Sequence, residues 1–127
     1  MNNPKAIKLL DKITEELEHN GIITNTIVQD LKDLRPFAVE EQRPLLAKTI
    51  RLTFEHIEEY ETFAIGIPED EPIEDEELGE VELETTDAEP KESLLYLLSL
   101  IKDSENPTNR LDLRAYVEAM QEYAEEN

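Results

Sequence analysis

The chain has 127 residues, of which 32 are acidic and 12 are Lys or Arg, so its formal net charge is −20. It contains no cysteine, which excludes disulfides, thiolate catalysis and metal centres held by thiolates. The longest apolar run, at residues 94–101, is too short to cross a bilayer, and the N-terminus lacks the apolar core of a secretory signal. We therefore predict a soluble, cytoplasmic protein that forms one helical domain over residues 1–127.

The first predicted helix follows Asn3 and Pro4. Asparagine can cap a first turn, and the fixed φ of proline suits the position after it. The pair Asn20-Gly21 offers the left-handed stop that helices favour. The apolar face of this helix consists of Ala6, Leu10, Ile13 and Leu17.

Two more helices are predicted before residue 66. The second starts at Thr24 or Thr26 and ends before Pro36, because proline disfavours a helical conformation at the preceding residue. The third runs from Pro36 or Glu40 to Phe63 and contains Pro44. Pro44 either begins a new helix after a short turn or kinks a continuous one. We favour the short turn, formed by residues 40–42.

Residues 66–92 differ from the rest of the chain in composition. They include 13 acidic residues and one basic residue, and 6 of the 27 are apolar. Because repelling carboxylates and few apolar side chains oppose folding, we predict an acidic, largely extended insert within the domain. Residues 80–84 alternate polar and apolar side chains, which is also typical of a short strand.

Two further helices are predicted after the insert, at residues 91–102 and 109–125. The first of them contains six Leu or Ile within eight residues, and five of these share a broad face. Leu100 falls outside that face. Five amphipathic helices with short connections predict an all-α bundle.

The sequence shows no arrangement of residues that indicates catalysis or a cofactor. Glu16 and His19 have the spacing of a ligand pair in di-iron bundles, but no second copy exists, since Thr53 stands three residues before His56. The three glycines are widely separated, so a phosphate-binding loop is excluded. We predict a protein that is not an enzyme, with no metal and no cofactor. An unrecognised enzyme or metal-binding bundle is the third hypothesis for its function.

Residues 32–51 carry the main cationic cluster, with a net charge of +2. The cluster consists of Lys32, Arg35, Arg43, Lys48 and Arg51. Direct nucleic-acid binding is not expected, because a chain of net charge −20 repels phosphates. The acidic insert, tethered at an effective concentration on the order of millimolar, is predicted to fold over this cluster. Alternatively, the cations pair with neighbouring acids, each pair contributing ~0–1 kcal/mol.

These features favour a protein–protein interaction module. Its candidate partner-binding residues are the five cations together with Leu95 and Leu100. The partner is a protein that has a basic surface, or a second copy that packs against residues 94–101. The alternative function is a polyanion that mimics nucleic acid and inhibits a basic partner. No membrane contact is predicted.

Overall fold

The computed structural model describes residues 1–68 and 89–126. Within these ranges it contains five α-helices and no strand, which confirms the predicted all-α fold. The helices are α1 (Pro4–Asn20), α2 (Thr24–Glu40), α3 (Pro44–Tyr60), α4 (Pro90–Lys102) and α5 (Pro107–Glu126). The proposed strand at residues 80–84 lies outside the described residues, and so does most of the acidic insert.

The helices form a closed ring in the order α1, α2, α3, α5, α4. Each helix packs against the two that precede and follow it in the ring, and α4 returns to α1. The apolar faces point to the middle of the ring, where they form one buried cluster. Its fully buried members include Leu10, Leu34, Ile50, Leu97, Leu113 and Tyr116.

Helix α1 matches its prediction because its two ends are determined locally. The side chain of Asn3 accepts a hydrogen bond from the backbone N–H of Lys5 at 2.8 Å, and Pro4 occupies the first turn. At the other end Gly21 has a φ of 74°, and its N–H donates to the carbonyl of Leu17. The four predicted apolar residues of this helix are all buried.

Helix α2 does not end before Pro36, so this prediction was wrong. The helix continues through Pro36 to Glu40, and residues 36–40 belong to α2 rather than to α3. Pro36 removes one helical hydrogen bond. Tertiary contacts outweigh this loss, because Leu34 and Ala38 are fully buried and Arg35 Nε donates to the carbonyl of Ala47 at 3.1 Å.

Helix α3 begins at Pro44, as the favoured interpretation has it, and ends at Tyr60 rather than at Phe63. The turn before it has the predicted length of three residues but lies one residue later, at residues 41–43. The chain changes direction between α2 and α3 at Gln42, whose φ is 58°. Glu61 ends α3 in the left-handed conformation, with a φ of 60°.

Leu100 is only 2% exposed, so the prediction that it lies outside the core was wrong. Helix α4 packs between α1 and α5, and the N-terminal residues cover its last turn. The ammonium group of Met1 lies 3.5 Å from the carbonyl oxygen of Ile101 and 3.4 Å from that of Lys102. Three neighbours therefore bury a wider arc of α4 than one helix face would provide.

Replacing Pro36 by alanine should raise the free energy of unfolding by about 1 kcal/mol, because alanine restores the missing helical N–H and favours the helix. Urea denaturation of the purified variant would measure this gain. Pro44→Ala is the matched control, since Pro44 occupies the first turn of α3, where proline is well tolerated. An equal gain in both variants would contradict the explanation.

Candidate protein-binding surfaces

The five predicted cations do not form one cluster in the structure. Lys32 and Arg35 line a groove between α2 and α3, whereas Arg43 lines a second groove at the start of α3. Lys48 is exposed and Arg51 half-buried on α3, and neither lines these two grooves. The cationic segment 32–51 therefore contributes to two separate surfaces.

The first surface is the α2–α3 groove. Its lining residues are Lys32, Arg35, Pro36, Val39, Glu40 and Phe54. Lys32 Nζ lies 5.6 Å from the centre of the Phe54 ring and 3.4 Å from a carboxylate oxygen of Glu58. Val39 is 53% exposed, although it is a large apolar side chain. The groove thus combines an exposed apolar patch with two cations at its edge.

Four residues of this groove are absent from the sequence prediction: Pro36, Val39, Glu40 and Phe54. Residues 32, 36 and 39 share one face of α2 only because the helix continues beyond Pro36. A helix that ended at Arg35 would have placed Val39 elsewhere. The sequence signal that could have revealed the site is the recurrence of these residues at helical spacing across the proline.

The second surface is the arginine groove, where α3 begins next to the first turns of α5. Its lining residues are Arg43, Pro44, Leu45, Leu46, Ser104, Arg110, Leu113 and Arg114. Arg43 pairs with Glu105 at 3.0 Å. Arg110 and Arg114 were not predicted, because they are far from Arg43 in the sequence. The sequence signal that could have revealed them is a pair of arginines four residues apart near the start of a helix, a spacing at which like charges disfavour the helix.

Several of the predicted cations pair with acids, as the alternative interpretation expects. Lys32 is paired with Glu58, Arg43 with Glu105, and Arg51 with Glu55 at 3.4 Å. These pairs are largely exposed and each contributes ~0–1 kcal/mol. The predicted docking of the acidic insert on the cations involves residues outside the described ranges.

The remaining candidate residues lie on α4. Leu95 is half-buried, whereas Leu100 is buried in the core of the chain itself. Leu100 is therefore already covered by other residues of the same chain. The apolar surface that α4 offers to a second copy is smaller than the leucine-rich sequence suggests.

His56 lies in an aromatic cluster at the end of α3. Its ring centre is 4.8 Å from that of Tyr60, 5.6 Å from that of Phe63 and 5.1 Å from that of Tyr123. His56 Nε2 accepts a hydrogen bond from the N–H of Ala64 at 3.0 Å. Burial lowers the pKa of His56 to about 4, so the ring is neutral at pH 7. In this position the imidazole holds the chain after α3 against the bundle.

His19 is exposed in the last turn of α1, where its Nδ1 lies 2.9 Å from the carbonyl oxygen of Glu15. His19 belongs to α1 and His56 to α3, and the structure does not bring the two side chains together. Across residues 1–68 and 89–126, no group of three or more histidine, aspartate and glutamate side chains has the geometry to hold a metal ion.

The serine hydroxyls make hydrogen bonds within the fold. The hydroxyls of Ser93 and Tyr116 lie 3.0 Å apart in the core, and the Tyr116 hydroxyl also donates to the Ser93 carbonyl. Burial raises the pKa of Tyr116. Ser104 Oγ accepts from the Met1 ammonium group at 3.3 Å, and Ser99 donates to the carbonyl of Tyr96. Each of the three serines therefore takes part in a hydrogen bond within the fold.

None of the helices in the described ranges combines the length and apolar character that a membrane-spanning helix requires. Comparison of the chain with protein-family models, with curated proteins and with solved structures finds no match.

Proposed function

We propose that the chain is a non-enzymatic interaction module that binds a protein partner at the α2–α3 groove. The observation that carries this proposal is the 53% exposure of Val39 beside Pro36 and Phe54. Exposed apolar side chains that adjoin one another are typical of partner-binding surfaces.

The charges at the groove define the chemistry of the partner. Lys32 and Arg35 stand beside the apolar patch, although the chain as a whole carries a net charge of −20. An amphipathic helix or strand with an apolar face and acidic flanks complements this arrangement. Its apolar side chains cover Val39 and Phe54, and its carboxylates meet the two cations.

A second partner in the proposal is another copy of the chain, bound through α4. Leu95 is the predicted α4 residue that retains exposed apolar surface, since Leu100 is buried. Measuring the molar mass in solution tests this possibility directly. A monomer at all concentrations would remove it.

The alternative function is a polyanion that occupies a nucleic-acid-binding surface of a basic partner. The net charge of −20 supports it, because long-range attraction would speed association with a basic protein. Salt separates the two functions. Binding by a polyanion weakens strongly at high ionic strength, whereas binding by an apolar groove depends much less on salt.

Substituting Val39 with glutamate should abolish partner binding, because a carboxylate disrupts apolar packing at the centre of the groove. The measurement is quantitative capture of proteins from host lysate by the immobilised chain, at physiological salt and at about 0.5 M NaCl. We expect a partner that the wild type retains in both salts and that Val39→Glu loses.

Ile23→Glu is the matched control for this experiment. Ile23 is 49% exposed, so it resembles Val39 in size and exposure, but it lies at the other end of α2. If both variants retain the same proteins as the wild type, the α2–α3 groove is not the binding site. If every captured protein is lost at high salt and Val39→Glu has no effect, the polyanion function is the correct one.

A further inference from the structure

We propose that the arginine groove is a second binding site, which takes a short acidic peptide segment of a partner protein. This proposal rests on the proposed function, because it takes the ligand to be part of a protein. It adds a different surface, at the opening turns of α3 and α5, and a ligand of stated chemistry.

The groove concentrates positive charge in a chain that has little of it. The whole sequence contains five arginines, and three of them, Arg43, Arg110 and Arg114, line this one groove. Two of the three come from α5 and one from the residue before α3. The fold thus brings together side chains that are more than sixty residues apart.

Within residues 1–68 and 89–126, two of the three guanidinium groups have no acidic partner. Among the ion pairs of the described residues, Arg43 pairs with Glu105, and no pair involves Arg110 or Arg114. Glu118 follows Arg114 by four residues, a spacing that commonly gives an ion pair on a helix. Arg114 nevertheless lines the groove and makes no pair with Glu118. In the α2–α3 groove, by contrast, Lys32 and Arg35 are both engaged.

The placement of Arg110 and Arg114 is unfavourable for the fold itself. Helix α5 starts at Pro107 and has no acidic residue in its first turn, so Arg110 lies near the positive end of the helix dipole with no acid in that turn to offset it. Arg110 and Arg114 are also like charges at a spacing of four residues, which destabilises a helix by a few tenths of a kcal/mol. An anionic ligand would remove both penalties.

The apolar part of the groove determines which anion fits. Leu46 and Leu113 are buried beneath it, Leu45 is half-buried and Pro44 is exposed. A bare inorganic anion would leave this apolar surface uncovered. A peptide can place carboxylates on the arginines, which bind carboxylates through paired N–H donors, and an apolar side chain on Leu45.

Long-range repulsion by the net charge does not prevent this binding at physiological salt. The screening length there is about 8 Å, so a bound peptide interacts mainly with the charges that line the groove. Three arginines and the paired Glu105 leave the groove with a local excess of positive charge.

The test uses a fluorescent, end-capped peptide of alternating glutamate and leucine, titrated with the full chain at physiological salt. Fluorescence anisotropy measures the affinity of the wild type and of a double variant, Arg110→Gln with Arg114→Gln. We expect the double variant to bind about tenfold or more weakly, because two charge-assisted contacts are lost.

The matched control is Lys5→Gln with Lys8→Gln, which removes the same charge from exposed positions of α1. We expect its affinity to equal that of the wild type. An equal loss in both double variants would assign the binding to overall charge and overturn the proposal. Absence of peptide binding to the wild type would also overturn it, and so would displacement by inorganic phosphate at constant ionic strength.

Thermal unfolding distinguishes a binding role from a structural one. The Arg110 and Arg114 double variant should unfold at the same temperature as the wild type or higher, since it removes the repulsion between the two arginines and the cation in the first turn of α5. A lower unfolding temperature would indicate that these arginines stabilise the fold, and would contradict the assignment. The Val39→Glu experiment is independent, so failure of the peptide test leaves the α2–α3 groove unaffected.

Discussion

Replacing Phe63 by alanine is expected to lower the free energy of unfolding by about 3–5 kcal/mol, the usual cost of removing a buried phenylalanine. Phe63 is fully buried, and its ring lies edge-on to His56 and 6.1 Å from the ring of Tyr116. It lies three residues after the end of α3 and fixes the chain against the core. A loss of this size is a large part of the stability of a small domain.

The matched control for this prediction is Phe54→Ala. Phe54 is half-buried in the wall of the α2–α3 groove, so its replacement should cost less than about 1.5 kcal/mol. Urea denaturation followed by circular dichroism measures both variants. Equal losses would mean that Phe63 contributes to the core no more than a surface ring does.

Acidification from pH 6.5 to pH 4 should cost the wild type about 2 kcal/mol more than it costs a His56→Gln variant. Burial lowers the pKa of His56 to about 4 in the folded chain, whereas the unfolded chain has the ordinary value of 6.5. Between these values the unfolded state binds a proton that the folded state excludes. The contribution of neutral His56 is therefore complete above pH 6.5 and is lost as the pH falls towards 4.

The expected loss of unfolding free energy is smaller than the full pKa shift of His56 implies, because His56 lines an open groove together with Glu55 and Glu59. Their carboxylates and the nearby solvent favour the protonated ring. Glutamine is the chosen replacement because its side-chain oxygen can still accept the hydrogen bond from Ala64.

His19→Gln is the control, since His19 is exposed at the end of α1. Relief of repulsion among the acidic residues changes the stability of all variants alike, so the difference between variants isolates His56. The measurement is the free energy of unfolding in urea at a series of pH values. Parallel curves for the wild type and His56→Gln would contradict the prediction.

The helical fold was predictable because its signals are local. Asn3 with Pro4, and Asn20 with Gly21, mark the ends of α1 within a few residues of the chain. Leucine and isoleucine at helical spacing then define the buried faces. Such signals depend on neighbours within about one helical turn, and these neighbours are known from the sequence.

Pro36 and Leu100 were misjudged for the opposite reason. The local cost of Pro36 is real, but burial of Leu34 and Ala38 against other elements outweighs it. Leu100 lies off the main apolar face of α4, yet α1, α5 and the N-terminal residues cover the helix from several directions. Neither outcome follows from the periodicity of one segment.

The candidate sites were likewise predictable only where the sequence signal was local. Lys32 and Arg35 were recognised from a cationic stretch, whereas Val39 joined them only because α2 continues beyond the proline. Arg110 and Arg114 meet Arg43 only because the ring places the start of α5 beside the start of α3. Residues distant in sequence can form one groove only after the helices have packed into the ring.

By itself, the sequence determined that this protein is built from amphipathic helices around a single apolar core, and that its surface is strongly acidic. Spacing and composition are sufficient for that, because each helix carries its own apolar face. The tertiary structure alone decided which helices are neighbours, where α2 ends and which cations share a groove. Those outcomes depend on the packing free energy summed over several helices, and this sum cannot be read from any single segment of the sequence.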